Sequence, residues 1–331
     1  MRGLDSSVLL MYSSPLQIKE RWLEANPDTE RKAGKIPGAL AGVHGGDLME
    51  RPIMRTMRTS FPLIGIALIC IAFSESSLSA PSVAAPCGGD FNAWLTEVKR
   101  EAASAGVSQR TIASALDGLV PDPAVLARDR SQHVFNQTFE QFSGRMISTD
   151  RMQRGAALLT RHAATFARIE RQFGVPGPVL TAIWGLETDY GVNQGRFSII
   201  RSVATLAQDC RRAEKFRGEL LDLLRIIDRG DMTPGELRGD WAGEIGQTQF
   251  LPSSYLQFAV DFDGNGKRDL IHSVSDALAS TANYLKSHGW RRGEPWGEGS
   301  GNFNVLLEWN KARVYAKTIA LFAERLAAGS R

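Results

Sequence analysis

A chain of 331 residues with 43% hydrophobic and 23% charged side chains has a globular composition, large enough for one sizeable core or two small ones, which excludes intrinsic disorder. The net charge of +3 is mild and no Lys/Arg run interleaves with aromatics, so nothing points to a nucleic-acid partner; slight basicity suits an anionic polymer or an ordinary solvated surface. The chain has no H-E-x-x-H, G-x-S-x-G, phosphate-binding loop or Cys/His cluster, which leaves metalloprotease, serine hydrolase and nucleotide-binding readings without support.

Residues 1–53 are rich in Arg, Gly, Pro and Met and lack periodicity, and they read as a non-structural extension. From Met54 or Met57, a basic stretch (Arg55, Arg58) leads into an apolar run from Phe61 to Phe73 and then into small residues, so residues 54–85 read as a signal peptide. That run is too short to cross about 30 Å of hydrocarbon as a helix. Cys70 follows Ile69, where lipoprotein processing needs a small residue, so a soluble periplasmic protein is expected, with residues 86–331 as its one domain. Export leaves Cys87 and Cys210, which in an oxidising compartment are expected to pair, two buried thiols being the alternative.

The mature region is helical in pattern. Phe91, Trp94, Leu95 and Val98 recur at helical spacing, and Ala102, Ile112, Leu116 and Leu119 continue it past breaks at Gly106 and Ser108. Pro121 and Pro123 mark a turn. Val134, Phe135, Phe139 and Phe142 line one helix face, and Met152 to Phe173 reads as one long amphipathic helix. Gly174-Val175-Pro176-Gly177-Pro178 ends it and opens the next, since proline is tolerated in a first turn only. The tail from Val305 to Leu326 starts strand-like and ends as an amphipathic helix.

The helix opened at Pro178 is apolar (Val179, Leu180, Ile183, Trp184) and carries Glu187 near its end, before Gly191. Apolar surroundings disfavour a carboxylate and hold a Glu protonated, which a general acid for glycosidic-bond cleavage requires. The plain alternative is a helix-end Glu bonded to backbone or Arg. Asp189 is two residues away and points elsewhere on the helix, so its role reads as structural.

Downstream, Asp240-Trp241-Ala242-Gly243-Glu244-Ile245-Gly246-Gln247-Thr248-Gln249-Phe250-Leu251-Pro252-Ser253-Ser254-Tyr255 is a Gly-punctuated loop feeding a helix. Its amides, hydroxyls (Ser253 among them) and aromatics suit sugar hydroxyls and N-acetyl groups. Asp261 to Asp269 has EF-hand spacing, with Asp261, Asp263, Asn265 and Asp269 at positions 1, 3, 5 and 9 and Gly266 at position 6. Position 12 is His272 instead of the bidentate Glu. A merely hydrophilic turn is the alternative.

The Glu-bearing helix end, the A-G-x-x-G-x-x-Q-F-x-P-S-S-Y segment from Ala242 to Tyr255 and the later Asn283-Tyr284 resemble the membrane-bound lytic murein transglycosylase B family, from about Cys87 to the C-terminus. The resemblance implies a mainly α fold: a lysozyme-like helical catalytic core with a small β element and an EF-hand-like loop. It implies cleavage of the MurNAc-GlcNAc β-1,4 bond of peptidoglycan strands without water, leaving 1,6-anhydroMurNAc ends, with Glu187 as the single acid/base and no catalytic cofactor. One carboxylate suffices if it protonates the leaving oxygen and then deprotonates the C6 hydroxyl that closes the ring. A hydrolase would need a second carboxylate, roughly 5 to 9.5 Å away. Asp240 stands where the family often has Ser. Gln249 falls on a glycan-contacting amide, and Tyr284, Trp309, Asn310 and Tyr315 fall on the C-terminal wall of the glycan groove, Trp309 where the family has Tyr. The resemblance also brings Asp276 into the metal shell, completing a set (Asp261, Asp263, Asn265, Lys267, Asp276) for a structural Ca²⁺. Expected partners are peptidoglycan strands and other cell-wall enzymes. The alternatives are a lysozyme-type muramidase, told apart by its reducing-end products, and a non-catalytic peptidoglycan-binding module.

Overall fold

The computed structural model describes residues 87–131 and 137–329. The expected extension and the expected signal peptide with Cys70, and Val134 and Phe135, lie outside those residues. In chain order the described helices are α1 (Phe91–Ser104), α2 (Gln109–Leu116), α3 (Pro123–Arg130), α4 (Phe139–Met146), α5 (Thr149–Arg161), α6 (Ala163–Phe173), α7 (Gly177–Thr188), α8 (Ile199–Gln208), α9 (Ala213–Asp228), α10 (Pro252–Phe258), α11 (Val274–Ser287), α12 (Gly301–Trp309) and α13 (Arg313–Gly329). The β content is small: β1 (Phe197–Ser198) pairs antiparallel with β2 (Arg238–Gly239), Phe197 opposite Gly239, and Ile245 bridges to Phe250.

Helix starts follow the sequence closely because polar caps sit where the first turn leaves N–H groups unpaired. Asp90, Ser108, Ser148, Ser198, Ser273 and Ser300 each accept from a backbone N–H of the following turn, and Thr138 forms a reciprocal capping box with Gln141. Two expectations are corrected. The expected helix from Met152 to Phe173 is broken at His162, which caps both α5 and α6 with φ −104° and ψ 22°. The stretch after Val305 is helical, because Ser300 caps α12 and Phe303, Val305 and Leu306 then reach the core at helical spacing.

Burial divides between two hydrophobic clusters. The first draws on α1, α2, α8, α9 and α10 together with Trp241, Ile245 and Phe250. The second draws on α4, α6, α7, α11, α12 and α13, with α7 packed chiefly on α13 and α5. Tyr284 and Trp309 pack against both clusters. The seam between the lobes therefore has aromatic walls, and the Glu187 end of α7 comes from one side of it while the loop from Asp240 to Leu251 comes from the other.

Cys87 and Cys210 are disulfide-bonded with Cα atoms 5.1 Å apart, which ties the start of α1 to the end of α8. Among the described residues no helix is long and apolar enough to cross a membrane.

Candidate active site

Helix α7 buries nearly every side chain from Val179 to Leu186, so its direction is fixed by packing on all sides. Glu187 sits in its last turn, half-buried. The helix is stopped by Asp189 (φ 55°) and Tyr190 (φ 65°), two consecutive non-glycine residues in the left-handed region, which costs about 1 kcal/mol or more at each. Compensation is visible on the same residues. Arg151 Nε and Arg154 Nη1 each bind the Asp189 carboxylate at 3.1 Å, Arg154 Nη2 donates to the Asp189 carbonyl at 2.9 Å, and the Tyr190 hydroxyl donates to the Arg151 carbonyl at 2.6 Å. Asp189 is thus occupied in ending the helix that carries Glu187.

The carboxyl of Glu187 has fixed partners from the C-terminal helices. Its Oε1 accepts from Trp309 Nε1 at 2.9 Å and from the Tyr315 hydroxyl at 3.1 Å. Burial, reinforced by the Glu187 carboxylate, holds the Tyr315 phenol well above its ordinary range, so Tyr315 keeps its proton and is a permanent donor. The same hydroxyl also lies in the field of Arg151 and of Glu244, a residue that is 2% exposed. Glu244 was not singled out from the sequence, where an acidic side chain in a Gly-punctuated loop carries no sign of its burial.

The loop that carries Glu244 is bonded directly to the end of α7. Thr188 Oγ1 donates to the Gln247 carbonyl at 2.5 Å and accepts from Gly191 N–H at 2.9 Å. Two glycines make the approach possible: a Cβ on Gly191 would lie 2.8 Å from Gln247 Oε1, and one on Gly195 would lie 2.1 Å from the Gly239 carbonyl oxygen just before the loop. Half-buried Gln249 has φ 56°, and its Nε2 donates to the Gly246 carbonyl at 2.8 Å. Half-buried Asp240 directly follows β2, with its carbonyl accepting from Gly243 N–H at 3.1 Å.

Half-buried Tyr284 and Trp309 form the aromatic wall, with ring centroids 5.1 Å apart, and Phe250 packs edge-on against both. Tyr284 is further held by a stacked His288 at 4.0 Å and by its hydroxyl, which donates to the Glu308 carbonyl at 2.9 Å.

Three residues expected to face the glycan are placed differently. Tyr315 is 0% exposed, so it supports Glu187 from within instead of standing on the wall. Asn310 is 1% exposed, and its Oδ1 accepts from Ala312 N–H at 3.0 Å, turning the chain from α12 into α13. Ser253 lies in the first turn of α10, where its N–H and hydroxyl both donate to Glu219 at 2.9 Å. Burial raises the Glu219 carboxyl against those two hydrogen bonds. Ser253 therefore joins α10 to α9.

Carboxylate oxygens of Asp261, Asp263 and Asp276 lie within 4.8 Å of one another. Asp276 is 0% exposed and accepts from the N–H groups of Phe262 (2.9 Å), Asp263 (3.2 Å) and Asp269 (3.0 Å), so its orientation is fixed although burial raises its carboxyl. Asp261 works against its own desolvation through N–H donors from Gly266, Gly264 and Asn265, which hold its carboxyl below the usual range. Asn265 Oδ1 accepts from Lys267 N–H at 2.9 Å. Converging hard oxygens in a preformed loop fit a divalent cation of the Ca²⁺ type.

A model of the transglycosylase SLT domain matches residues 90–300. The membrane-bound lytic murein transglycosylase B of Escherichia coli (strain K12) is 38% identical over 160 residues, which cover 48% of this chain and 44% of the relative, so the match spans less than half of that relative's length. Among solved structures, SltB3 from Pseudomonas aeruginosa in complex with NAG-anhNAM-pentapeptide superposes with a TM-score of 0.70 and 33% identity over 74% of this chain and 81% of that one. The Escherichia coli lytic transglycosylase Slt35 in complex with calcium gives a TM-score of 0.65 and 25% identity over 74% of this chain and 97% of that one.

Proposed function

Because the chain belongs to the transglycosylase SLT domain family, we propose that it cleaves the MurNAc-GlcNAc β-1,4 bond of peptidoglycan strands without water and leaves 1,6-anhydroMurNAc ends, with Glu187 as acid and base. The observation that carries this reading is one half-buried carboxyl, at the seam of two lobes, whose Oε1 is held by Trp309 and Tyr315. Protonated Glu187 gives its proton to the glycosidic oxygen, and the C1–O4 bond breaks. The resulting carboxylate takes the proton of the MurNAc C6 hydroxyl, whose oxygen closes onto C1, and the acid is regenerated with no water consumed. Trp309 and Tyr315 stabilise the charge that exists between the two transfers.

The neighbouring carboxylates give a hydrolytic partner little support. Asp189 is bound by two arginines, and Glu244, at 2% exposure, offers no oxygen to a substrate. Half-buried Asp240 is the one side chain that keeps a muramidase reading alive. Mass spectrometry of muropeptides released from sacculi separates the readings: products one water lighter than those of a hydrolase support the transglycosylase, reducing ends transfer the assignment to hydrolysis with Asp240, and no release favours a binding module. Tyr284, Trp309 and Gln249 would line the groove, and residues 54–85 would export the catalytic domain, residues 86–331, to the periplasm, where other cell-wall enzymes are its expected partners.

Tyr315→Phe is expected to lower the cleavage rate about tenfold, since a hydrogen bond to a charged acceptor contributes roughly 1.5 kcal/mol or more. An unchanged kcat would remove Tyr315 from the mechanism.

Asp261, Asp263, Asn265, the Lys267 carbonyl and Asp276 would hold a structural Ca²⁺, which supplies no step of the reaction. Calcium at about a hundredfold excess over its Kd is expected to stabilise the fold by about 2.7 kcal/mol and raise the Tm by roughly 5–10 °C. Differential scanning calorimetry with calcium against EDTA checks this. Loss of the shift in Asp276→Ala assigns it to this loop, and an equal shift in that variant sinks the assignment.

A further inference from the structure

The loop that carries Asp261 and Asp263 is anchored in both lobes. Phe262, near its start, packs in the second hydrophobic cluster, and Leu270, at its end, packs without exposure in the first. Buried Asp276, in the first turn of α11, accepts from Phe262 N–H at 2.9 Å and from Asp269 N–H at 3.0 Å, so one side chain fastens both arms. Asp269 carries the order further, its Oδ1 accepting from Ile271 N–H at 3.0 Å and His272 N–H at 2.8 Å. The carbonyls beside it are the dock for two glutamines. Gln247 N–H donates to the Leu270 carbonyl at 2.9 Å, and the Ile271 carbonyl accepts from Gln194 Nε2 at 3.0 Å and from Gln247 Nε2 at 3.3 Å.

From this dock the glutamines reach the end of α7. Gln194 Nε2 also donates to the Gly191 carbonyl at 3.1 Å, and the Gln247 carbonyl accepts from Thr188, the neighbour of Glu187. Gln249 Nε2 rests between the Gly246 and Gln194 carbonyls at 2.8 and 3.5 Å. The fit leaves little slack, since a Cβ on Gly246 would lie 2.3 Å from the Leu270 carbonyl oxygen. Helix α11 adds a parallel tie, Thr281 Oγ1 donating to Thr248 Oγ1 at 3.0 Å with both residues fully buried. Gln247 is 4% exposed, so water cannot take over its bonds if the dock shifts.

We propose that Gln194 and Gln247 are positioning residues that couple the Asp261–Asp276 loop to the glycan site: a divalent cation in that loop fixes Leu270 and Ile271, and through them the Thr188–Gly191 turn and the Gln249 amide. The inference rests on the readings of the loop as a cation site and of the seam as a glycan groove. Carboxylate oxygens of Asp261, Asp263 and Asp276 within 4.8 Å of one another repel when no cation stands between them, which loosens both arms of the loop; a cation turns that repulsion into attraction. A ligand that favours the ordered dock favours whatever else needs it, and the effect is reciprocal, so cation and glycan bind with positive linkage.

Isothermal titration calorimetry of Glu187→Gln with a purified peptidoglycan tetrasaccharide, well below the Tm, reads the linkage without turnover. Calcium is expected to tighten tetrasaccharide binding about tenfold relative to EDTA. A cation that only stabilised the fold would not change the glycan affinity of protein that is already folded, so equal Kd values in calcium and EDTA overturn the inference. Adding Gln194→Met removes the amide at nearly constant length and should cut the linkage to about threefold or less with calcium still bound; an undiminished linkage overturns the assignment to these glutamines. Amide hydrogen exchange keeps the question separate from the proposed function. If the tetrasaccharide does not bind, the glycan reading falls, and exchange still decides the coupling. Calcium should slow exchange at Gln247 N–H about tenfold more than at Val107 N–H, which bonds to the Ala102 carbonyl at 3.0 Å after α1. Equal slowing at both is a general gain in stability and overturns the proposal, as does a failure of calcium to bind.

Discussion

Glu187→Gln is expected to lower muropeptide release by at least about a thousandfold while leaving adsorption to sacculi intact, because the amide keeps the shape of the side chain and loses the proton it transfers. The magnitude follows from the double use of this group. In a two-carboxylate glycosidase the loss of one partner leaves part of the chemistry standing, but here the same side chain would serve as acid and then as base, so both transfers fail together. The Trp309 and Tyr315 donors can still reach the amide oxygen, which keeps the local structure in place. Wild-type and variant protein should therefore pellet equally with sacculi and differ in released products by mass spectrometry. More than a tenth of wild-type activity in a variant verified free of wild-type protein would move the chemistry to another residue.

How much of this site could be read before the structure depends on the kind of information each residue carries. Glu187 was legible because a carboxyl in an apolar helix is a local anomaly, and the loop from Ala242 to Tyr255 because glycines and amides in one short run have few structural uses. The cysteine pair followed from counting the cysteines expected to remain after export, and the two are bonded. The orientation of Tyr315 was not legible: an aromatic at helical spacing in α13 looks the same whether it faces a groove or the core, and only the packing of α7 against α13 buries it. Asn310 and Ser253 were ambiguous for a related reason. Both are short polar residues at helix boundaries, where capping or joining two helices competes with binding a ligand, and local backbone geometry decides. The break at His162 was invisible because the apolar period continues through it. Glu244 was passed over inside a motif that was itself noticed, since nothing in sequence tells a buried carboxyl from an exposed loop one.

Removing the Cys87–Cys210 bond in a Cys87→Ser/Cys210→Ser protein is expected to cost about 4 kcal/mol and lower the Tm by roughly 10 °C, because the bond closes a long loop in the unfolded chain. The sequence separation of 123 residues places it near the upper end of what chain entropy supplies. The contacts beside it are too local to replace it. Gly88 N–H donates to the Gln208 carbonyl at 2.8 Å and Gln208 Nε2 to the Gly89 carbonyl at 3.0 Å, both in a strip just before α1. The buried Asp129 carboxylate, bound by Arg211 and Arg212, anchors the same corner to α3 and not to α1. The loss should be felt first in the lobe built on α1, α8 and α9. That lobe underlies the loop after β2, for a Cβ on Gly243 would lie 2.3 Å from a Val203 methyl on α8. Cleavage at 25 °C should therefore change little, while heat inactivation should move down with the calorimetric transition. A Tm within about 2 °C of wild type would mean that burial of α1 in the first cluster and the Glu101–Arg217 ion pair hold the Cys87 segment without the covalent bond.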